Sequence, residues 1–269
     1  MAYTISDLQY LMARLRNPET GCPWDLKQTF TSVVPHTLEE VYELVDAIEQ
    51  GDSDQIRQEL GDVLFQIVFY SQLAAESAQF SFAEVVDGIV AKLLRRHPHV
   101  FPSGELNSER KIDAPADEAI EARWEEIKQQ EREQKSQHSA MDDVPQALPG
   151  LTRASKLQKR AAQQGFDWQE LQQVISAFRA EIDELEEAID AANPKQIADE
   201  MGDVLFSAVN VARHLNLDAE AVTRGACAKF ERRFRFVEQR CEETGVIAAK
   251  GQHNSQMELF WNEAKAAGL

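Results

Sequence analysis

Long apolar runs are missing from this chain, glycine is thin and cysteines are few, and each shortage removes a class of protein. No apolar stretch approaches the roughly 18 residues of a membrane span, so no membrane partner is expected. The N-terminal MAYTISDLQY has no basic stretch followed by an apolar one, which argues against a secretory leader. Cys22, Cys227 and Cys241 share no metal-type spacing, and their odd number fits a reducing compartment. The expected location is cytoplasmic. There are 12 glycines in 269 residues and strand-like alternation is hard to find, which argues against a β-rich fold. Positive charge is short as well, 28 Lys and Arg against 46 Asp and Glu, for a net charge of −18. Such a surface repels nucleic-acid polymers. An anionic ligand would need a local cluster of cations or a metal ion.

What the chain does have is helix-forming composition. Ala, Leu, Glu, Gln and Arg dominate, and 43% of residues are hydrophobic, enough for a core. The fold class expected is all-α. The organisation is a repeat. QELGDVLF at Gln58–Phe65 returns as DEMGDVLF at Asp199–Phe206. Glu40, Glu43, Glu59 and Asp62 map onto Glu181, Glu184, Glu200 and Asp203 at one offset of 141 (40 to 181). Lys92, Arg95, Arg96 and Trp124 map onto Lys229, Arg232, Arg233 and Trp261 at an offset of 137 (92 to 229). GCPW ending at Trp24 matches GFDW ending at Trp168. The chain therefore divides into two copies of one module, 1–133 and 151–269, with 134–150 as linker. That segment is polar, carries Pro145 and Pro149, and lacks periodicity. Leu106–Asp117 is a second expected loop.

Helix signals recur in both copies. Thr37-Leu38-Glu39-Glu40 has capping-box form and predicts a helix from there to Gly51. Asp52 or Ser53 opens the next, to about Glu76. Ser81 with Glu84 opens a third, ending before Pro98. In the second copy Asp167 is the expected cap of a helix ending near Ala192. Asn193 and Pro194 start another, to about His214, and Asp218 starts the next. A further helix precedes each set, at Ile5–Arg16 and Thr152–Gln163. Each module is thus a bundle of four or five helices.

Gly51 marks a hairpin tip, with Glu43 and Glu59 each about eight residues away and Glu40 and Asp62 each about eleven. Antiparallel helices rise equally, about 1.5 Å per residue, so each pair lies level across the hairpin. The i, i+3 spacing keeps each pair on one helix face. If the faces meet, four carboxylates converge, and the second copy repeats the spacing unchanged. Converging acids repel unless a cation lies between them, and oxygen-only ligands suit Mg²⁺ or Mn²⁺. Lys92, Arg95 and Arg96, or Lys229, Arg232 and Arg233, offer charge for phosphate. Trp124 and Trp261 offer an aromatic face. Together these suggest metal-assisted phosphoanhydride hydrolysis.

Plainer readings stand beside this one. An E-x-x-E pair commonly marks a solvated helix face, and Glu40 is also explained as the capping partner of Thr37. Identical spacing in two copies favours the metal reading, because solvated acids need not hold position. Gly61 and Gly202 sit mid-helix, where glycine costs roughly 1 kcal/mol against alanine, so close packing or ligand access is expected there. Val63, Leu64 and Phe65 read as core, and so, more simply than as stacking platforms, do the two tryptophans. The basic residues are shared between phosphate contact and pairing with nearby acids. His97-Pro98-His99 reads as a helix stop, and the cysteines as incidental.

E-E-x-x-E followed by E-x-x-D on consecutive helices resembles the all-α nucleoside triphosphate pyrophosphohydrolase superfamily. The doubled motif, GCPWD near Gly21 and KLLRRHPHVF near Lys92 extend the resemblance to its two-domain bacterial members over nearly the whole chain. The resemblance implies Mg²⁺-dependent cleavage of NTPs and dNTPs between the α and β phosphates, giving monophosphate and pyrophosphate. It also implies a homodimer and a house-cleaning role. It places metal ligands on Glu40, Glu43, Glu59 and Asp62 and on Glu181, Glu184, Glu200 and Asp203. It places nucleotide contacts on Lys229, Arg233 and Trp261, with Lys92, Arg96 and Trp124 in the first copy. One departure stands out: the first copy has Glu39, a candidate catalytic acid, where the second has Ala180. In two-domain members the C-terminal module is the one held to be active, and the main site is expected there. Two rivals remain open, a non-enzymatic nucleotide- or metal-binding scaffold and a dUTP- or dCTP-selective pyrophosphatase.

Overall fold

The computed structural model describes residues 2–109, 123, 124, 127, 131, 139–247 and 255–269. The loop expected at 106–117 and the linker at 134–150 lie partly outside that set. Among the described residues all regular structure is helical, which bears out the all-α expectation. The chain forms two compact units, Met1–Lys128 and Gln129–Leu269.

The first unit contains α1 (Ile5–Leu15), α2 (Phe30–Gln50), α3 (Ser53–Glu76) and α4 (Phe82–Arg96). The second contains α5 (Gly150–Gln163), α6 (Leu171–Asp190), α7 (Pro194–His214), α8 (Ala219–Thr244) and α9 (Ser255–Ala266). α2 pairs with α3 and α6 with α7, the hairpins that the repeated acids predicted. α1 and α4 pack on α3, and α5 and α8 pack on α7.

Local chemistry sets most boundaries. Asp52 caps α3 by accepting from the Asp54 and Gln55 amides, and Asn193 caps α7 the same way with Pro194 following. Ser81 and Glu84 form the expected capping box on α4, and Asp218 caps α8. Gly51 closes α2 in the left-handed region, φ 75°, which a residue without Cβ adopts at no steric cost.

Two caps differ from expectation. α2 starts seven residues earlier than the Thr37 box, at Phe30, with Thr29 and Ser32 in a reciprocal box. Pro35 lies inside the helix. Its missing N–H leaves the Thr31 carbonyl without its usual donor, and exposure to water at that turn makes the loss tolerable. Thr37 is an interior residue whose hydroxyl bonds back to the Val33 carbonyl and to the Tyr70 hydroxyl, so Glu40 is no capping partner. In the second unit Glu170, not Asp167, caps α6, and Gln173 reciprocates. Asp167 is drawn instead into a charge network with α7. α5 begins at Gly150, the last residue of the segment read as linker.

The first core gathers Met12, Val33, Val68, Phe69 and Leu73, with Phe65 packed against it. Arg16 locks the end of α1 to the end of α3 through Glu76, 2.7 Å, and donates to the Asp25 main-chain oxygen. The second core is smaller-chained, with Ala154, Val209, Ala212 and Ala219. Leu64, expected in the core, is 38% exposed, and its counterpart Leu205 is 50% exposed. Alternation around the helix turns these positions outward from their own unit. Gly61 and Gly202 are not sites of close packing either, because a Cβ at either would meet nothing within 4 Å.

Candidate active site

The hairpins bring three of the four expected acids of each copy together. Glu40 and Glu43 descend from α2 and Glu59 rises from α3, and one carboxylate oxygen of each lies within 4.8 Å of the others. Glu181, Glu184 and Glu200 repeat the cluster on α6 and α7. Asp62 and Asp203 stand one turn further along, close enough for their charge to act on the clusters. Burial, then the charges of Asp62, Glu43, Glu59 and Glu39, holds the Glu40 carboxyl above its ordinary range. Glu181 is raised the same way, by burial and then by Asp203, Glu184 and Glu200. Burial and neighbouring acids, Glu43 and Asp62 in one copy and Glu184 and Asp203 in the other, raise Glu59 and Glu200. Three glutamates pressed into mutual repulsion at the same station of two hairpins, with an aspartate one turn on, are a group that could hold a metal ion. The all-oxygen donor set fits Mg²⁺ or Mn²⁺.

The other expected residues fall as follows. Glu39 lies beside the first cluster and pairs with His36 at 3.8 Å. Lys92, Arg95 and Arg96 occupy the last turns of α4. The Trp124 indole donates to the Arg96 main-chain oxygen at 2.7 Å and meets the His97 ring edge-on, a packing role at the helix end. Lys229, Arg232 and Arg233 lie on α8, the neighbour of the helix bearing Glu200 and Asp203. Among the described residues no ion pair joins these three cations to the acids of that cluster. Arg233 lies over the Trp261 ring, 5.8 Å from its centre, and its Nε donates to the Leu269 main-chain oxygen. Phe230 packs on the other part of Trp261, 5.2 Å between ring centres. Trp261 is half-buried, so both packing and ligand contact remain open to it.

A second polar group in this unit has no motif in the sequence. Arg213 donates to both oxygens of Asp167, 2.9 and 2.5 Å, and to Asn210 Oδ1, while His214 Nε2 lies 3.0 Å from Asp167. The Arg213 hydrogen bonds, joined by those from His214 and the Trp168 amide, hold the Asp167 carboxyl down at about 2. The one available signal was at the offset of 141, where Phe69 gives way to Asn210 and Gln72 to Arg213.

Two all-α modules in tandem, each carrying clustered acids on a helical hairpin, define the class: a duplicated helical scaffold with one acidic hairpin in each copy. The chain belongs to the MazG nucleotide pyrophosphohydrolase domain family, whose model matches residues 28–101 and again 169–237, so that each match spans one quartet. It is 48% identical over 270 residues to the nucleoside triphosphate pyrophosphohydrolase of Escherichia coli K12, covering 97% of both chains. It is 38% identical to the nucleoside triphosphate pyrophosphohydrolase/pyrophosphatase MazG of Thermotoga maritima, over 96% of this chain and 94% of that one. The nucleoside triphosphate pyrophosphohydrolase of Mycobacterium tuberculosis is 35% identical over 60% of this chain and 45% of that one.

Proposed function

We propose that the chain hydrolyses nucleoside triphosphates between the α and β phosphates, releasing nucleoside monophosphate and pyrophosphate, with Mg²⁺ bound by the acidic quartets. Family membership and relatives named for this reaction make it a phosphoanhydride hydrolase, and the non-enzymatic scaffold reading falls. The observation that carries the finer reading is the pair of three-glutamate clusters, built identically on α2–α3 and α6–α7. In the second unit Glu181, Glu184, Glu200 and Asp203 would hold the metal, which would supply charge to polarise the phosphates and to acidify water. The chain's own residues do the rest. Fixed on two packed helices, the glutamates would hold that ion in one place. Lys229, Arg232 and Arg233 neutralise the phosphate charge that the metal leaves uncovered, and Trp261 supports Arg233 from below. These cations would stabilise the charge on departing pyrophosphate.

The second quartet is the principal site, and Glu39 of the first has no counterpart there because Ala180 fills its place. A homodimer accompanies this reading. The hairpin helices turn Leu60, Leu64 and Ile67 outward in one unit and Met201, Leu205 and Phe206 in the other, and a second copy would cover such a face. The location is cytoplasmic.

The experiment is pyrophosphate release from a panel of NTPs and dNTPs by the metal-stripped protein, with and without added Mg²⁺ or Mn²⁺. Monophosphate and pyrophosphate appearing together, only with metal, support the proposal. Orthophosphate as first product, or full activity in excess chelator, would refute it. A strict preference for dUTP or dCTP would move the chain to the narrower house-cleaning reading. Sedimentation of the same sample tests the dimer.

A further inference from the structure

α9 ends in a turn that reaches back to α8. Gly268 lies in the left-handed region, φ 80°, where a residue without Cβ is unstrained. Its amide donates to the Lys265 oxygen at 3.1 Å and the Leu269 amide to the Ala264 oxygen at 3.2 Å, the paired bonds of a Schellman cap. Ala264 is fully buried, so the cap closes on the packed side of α9. The turn aims the Leu269 main-chain oxygen at α8, where it accepts from Arg233 Nε at 2.6 Å.

α9 receives two arginines of one α8 stripe. Arg233 and Arg240 are spaced i, i+7, and their guanidinium carbons lie 5.8 Å from the Trp261 ring centre and 5.3 Å from that of Phe260. There the likeness stops. Arg240 is paired with Glu243 at 2.7 Å and with Glu263 at 3.3 Å, which makes it an anchor between the helices. Arg233 meets no side-chain carboxylate among the described residues. A ring face and a main-chain oxygen hold it, and it donates through Nε alone among those residues. The outer edge of the guanidinium, with both Nη groups, is left over. That edge is the one that takes two oxygens of a phosphate group side by side.

A free arginine side chain samples many rotamers, and one ordered in advance loses less freedom on meeting its ligand. The first copy is built otherwise. There α4 stops at Arg96, and the Trp124 indole donates to the Arg96 main-chain oxygen.

We infer that the Gly268 turn positions Arg233 for the polyphosphate, holding Nε from α9 so that the two Nη groups remain for the ligand. Gly268 is a positioning residue, because only a residue at ease with positive φ turns the Leu269 oxygen that way. The inference rests on the reading of Lys229, Arg232 and Arg233 as the phosphate contacts.

The test compares the full chain with Gly268→Val, whose β-branched side chain opposes positive φ, and Gly268→Asn, whose side chain tolerates it. Gly268→Val should raise KM for ATP with Mg²⁺ about five-fold, more than it lowers kcat, while Gly268→Asn stays near the parent. Added to Arg233→Ala, Gly268→Val should change nothing further, because the residue it acts through is gone. Gly268 is exposed, past the last turn of α9, so the helices should persist by circular dichroism. Should Gly268→Val lose helix, Gly268→Ala, the smaller strain, takes its place. The Arg233 Nε–H resonance, assigned by its loss in Arg233→Ala, reads the turn without turnover. It should exchange slowly with water in the parent and in Gly268→Asn, and fast in Gly268→Val. An effect of Gly268→Val that is the same size in both backgrounds overturns the inference. So does a KM unmoved by Gly268→Val where Arg233→Ala moves it, or equal Nε–H exchange in all three proteins, and either leaves the proposed activity standing. If Arg233→Ala itself moves neither KM nor kcat, the phosphate reading is what fails, and the positioning role goes with it.

Discussion

Asp167→Asn should weaken the second unit by a margin that depends on pH in a defined window. Asp167 lies before α6 and accepts both nitrogens of Arg213 from α7, so the pair clamps the entry of one hairpin helix to the end of the other. Its carboxyl titrates at about 2 in the folded protein against 3.8 ordinarily. At about 1.4 kcal/mol for each pH unit of that difference, the full contribution is about 2.5 kcal/mol. The side chains are 26% and 18% exposed at the rim of the unit, so screening by solvent brings the expected value to about 1–2 kcal/mol. Because the folded-state pKa is the lower one, this stability is fully present above pH 3.8 and is lost as pH falls through about 2. Urea denaturation of parent and variant, followed by circular dichroism at a series of pH values, reads the difference directly. Near neutrality the variant should be weaker by that amount, and the two curves should converge as pH falls below 4. A variant as stable as the parent at pH 7, or a deficit unchanged down to pH 2, would refute the reasoning. Either result would show that the clamp does not depend on the carboxylate charge.

The acidic quartets predict the opposite trend in the metal-free protein: Glu40, Glu59, Glu181 and Glu200 all sit above their ordinary 4.5, so stripped protein should gain stability as pH falls towards that value. Thermal scans with and without Mg²⁺ read this, and a metal-free Tm that only declines from pH 7 to 5 would contradict it. Mg²⁺ binding to the folded state alone should raise Tm, and Asp203→Asn should shrink that rise; equal protection of parent and variant would remove Asp203 from the ligand set. Glu184→Gln should abolish most NTP hydrolysis through kcat, and Glu43→Gln should abolish less. The reverse order would show that Glu39 and the complete first motif mark the working site. Lys229→Ala and Arg233→Ala should raise KM and lower kcat together, and steady-state kinetics with both parameters unmoved would place these cations away from phosphate.

Helix class, duplication and the level pairing of four acids were legible in the sequence because each depends on local periodicity. A rise of 1.5 Å per residue on either side of Gly51 brings Glu43 opposite Glu59 whatever else surrounds the hairpin. Asp52, Asn193, Ser81 and Asp218 were legible as caps for the same reason, since a cap satisfies amides two or three residues away. The Thr37 box was a false signal of that same local kind. Only the packed structure shows Thr29 capping earlier and Pro35 carried within the helix. The outward turn of Leu64 and the open space around Gly61 were equally hidden, because burial depends on which helices lie alongside. Tertiary structure alone brought Gln158 of α5 against Phe206 of α7, and Asp167 against Arg213, across separations of 48 and 46 residues. It alone shows Phe69 closed within the first core while Asn210, its counterpart, borders a cavity. In the sequence that exchange is one letter in a repeat, but in a close-packed interior it decides whether a volume is filled or open.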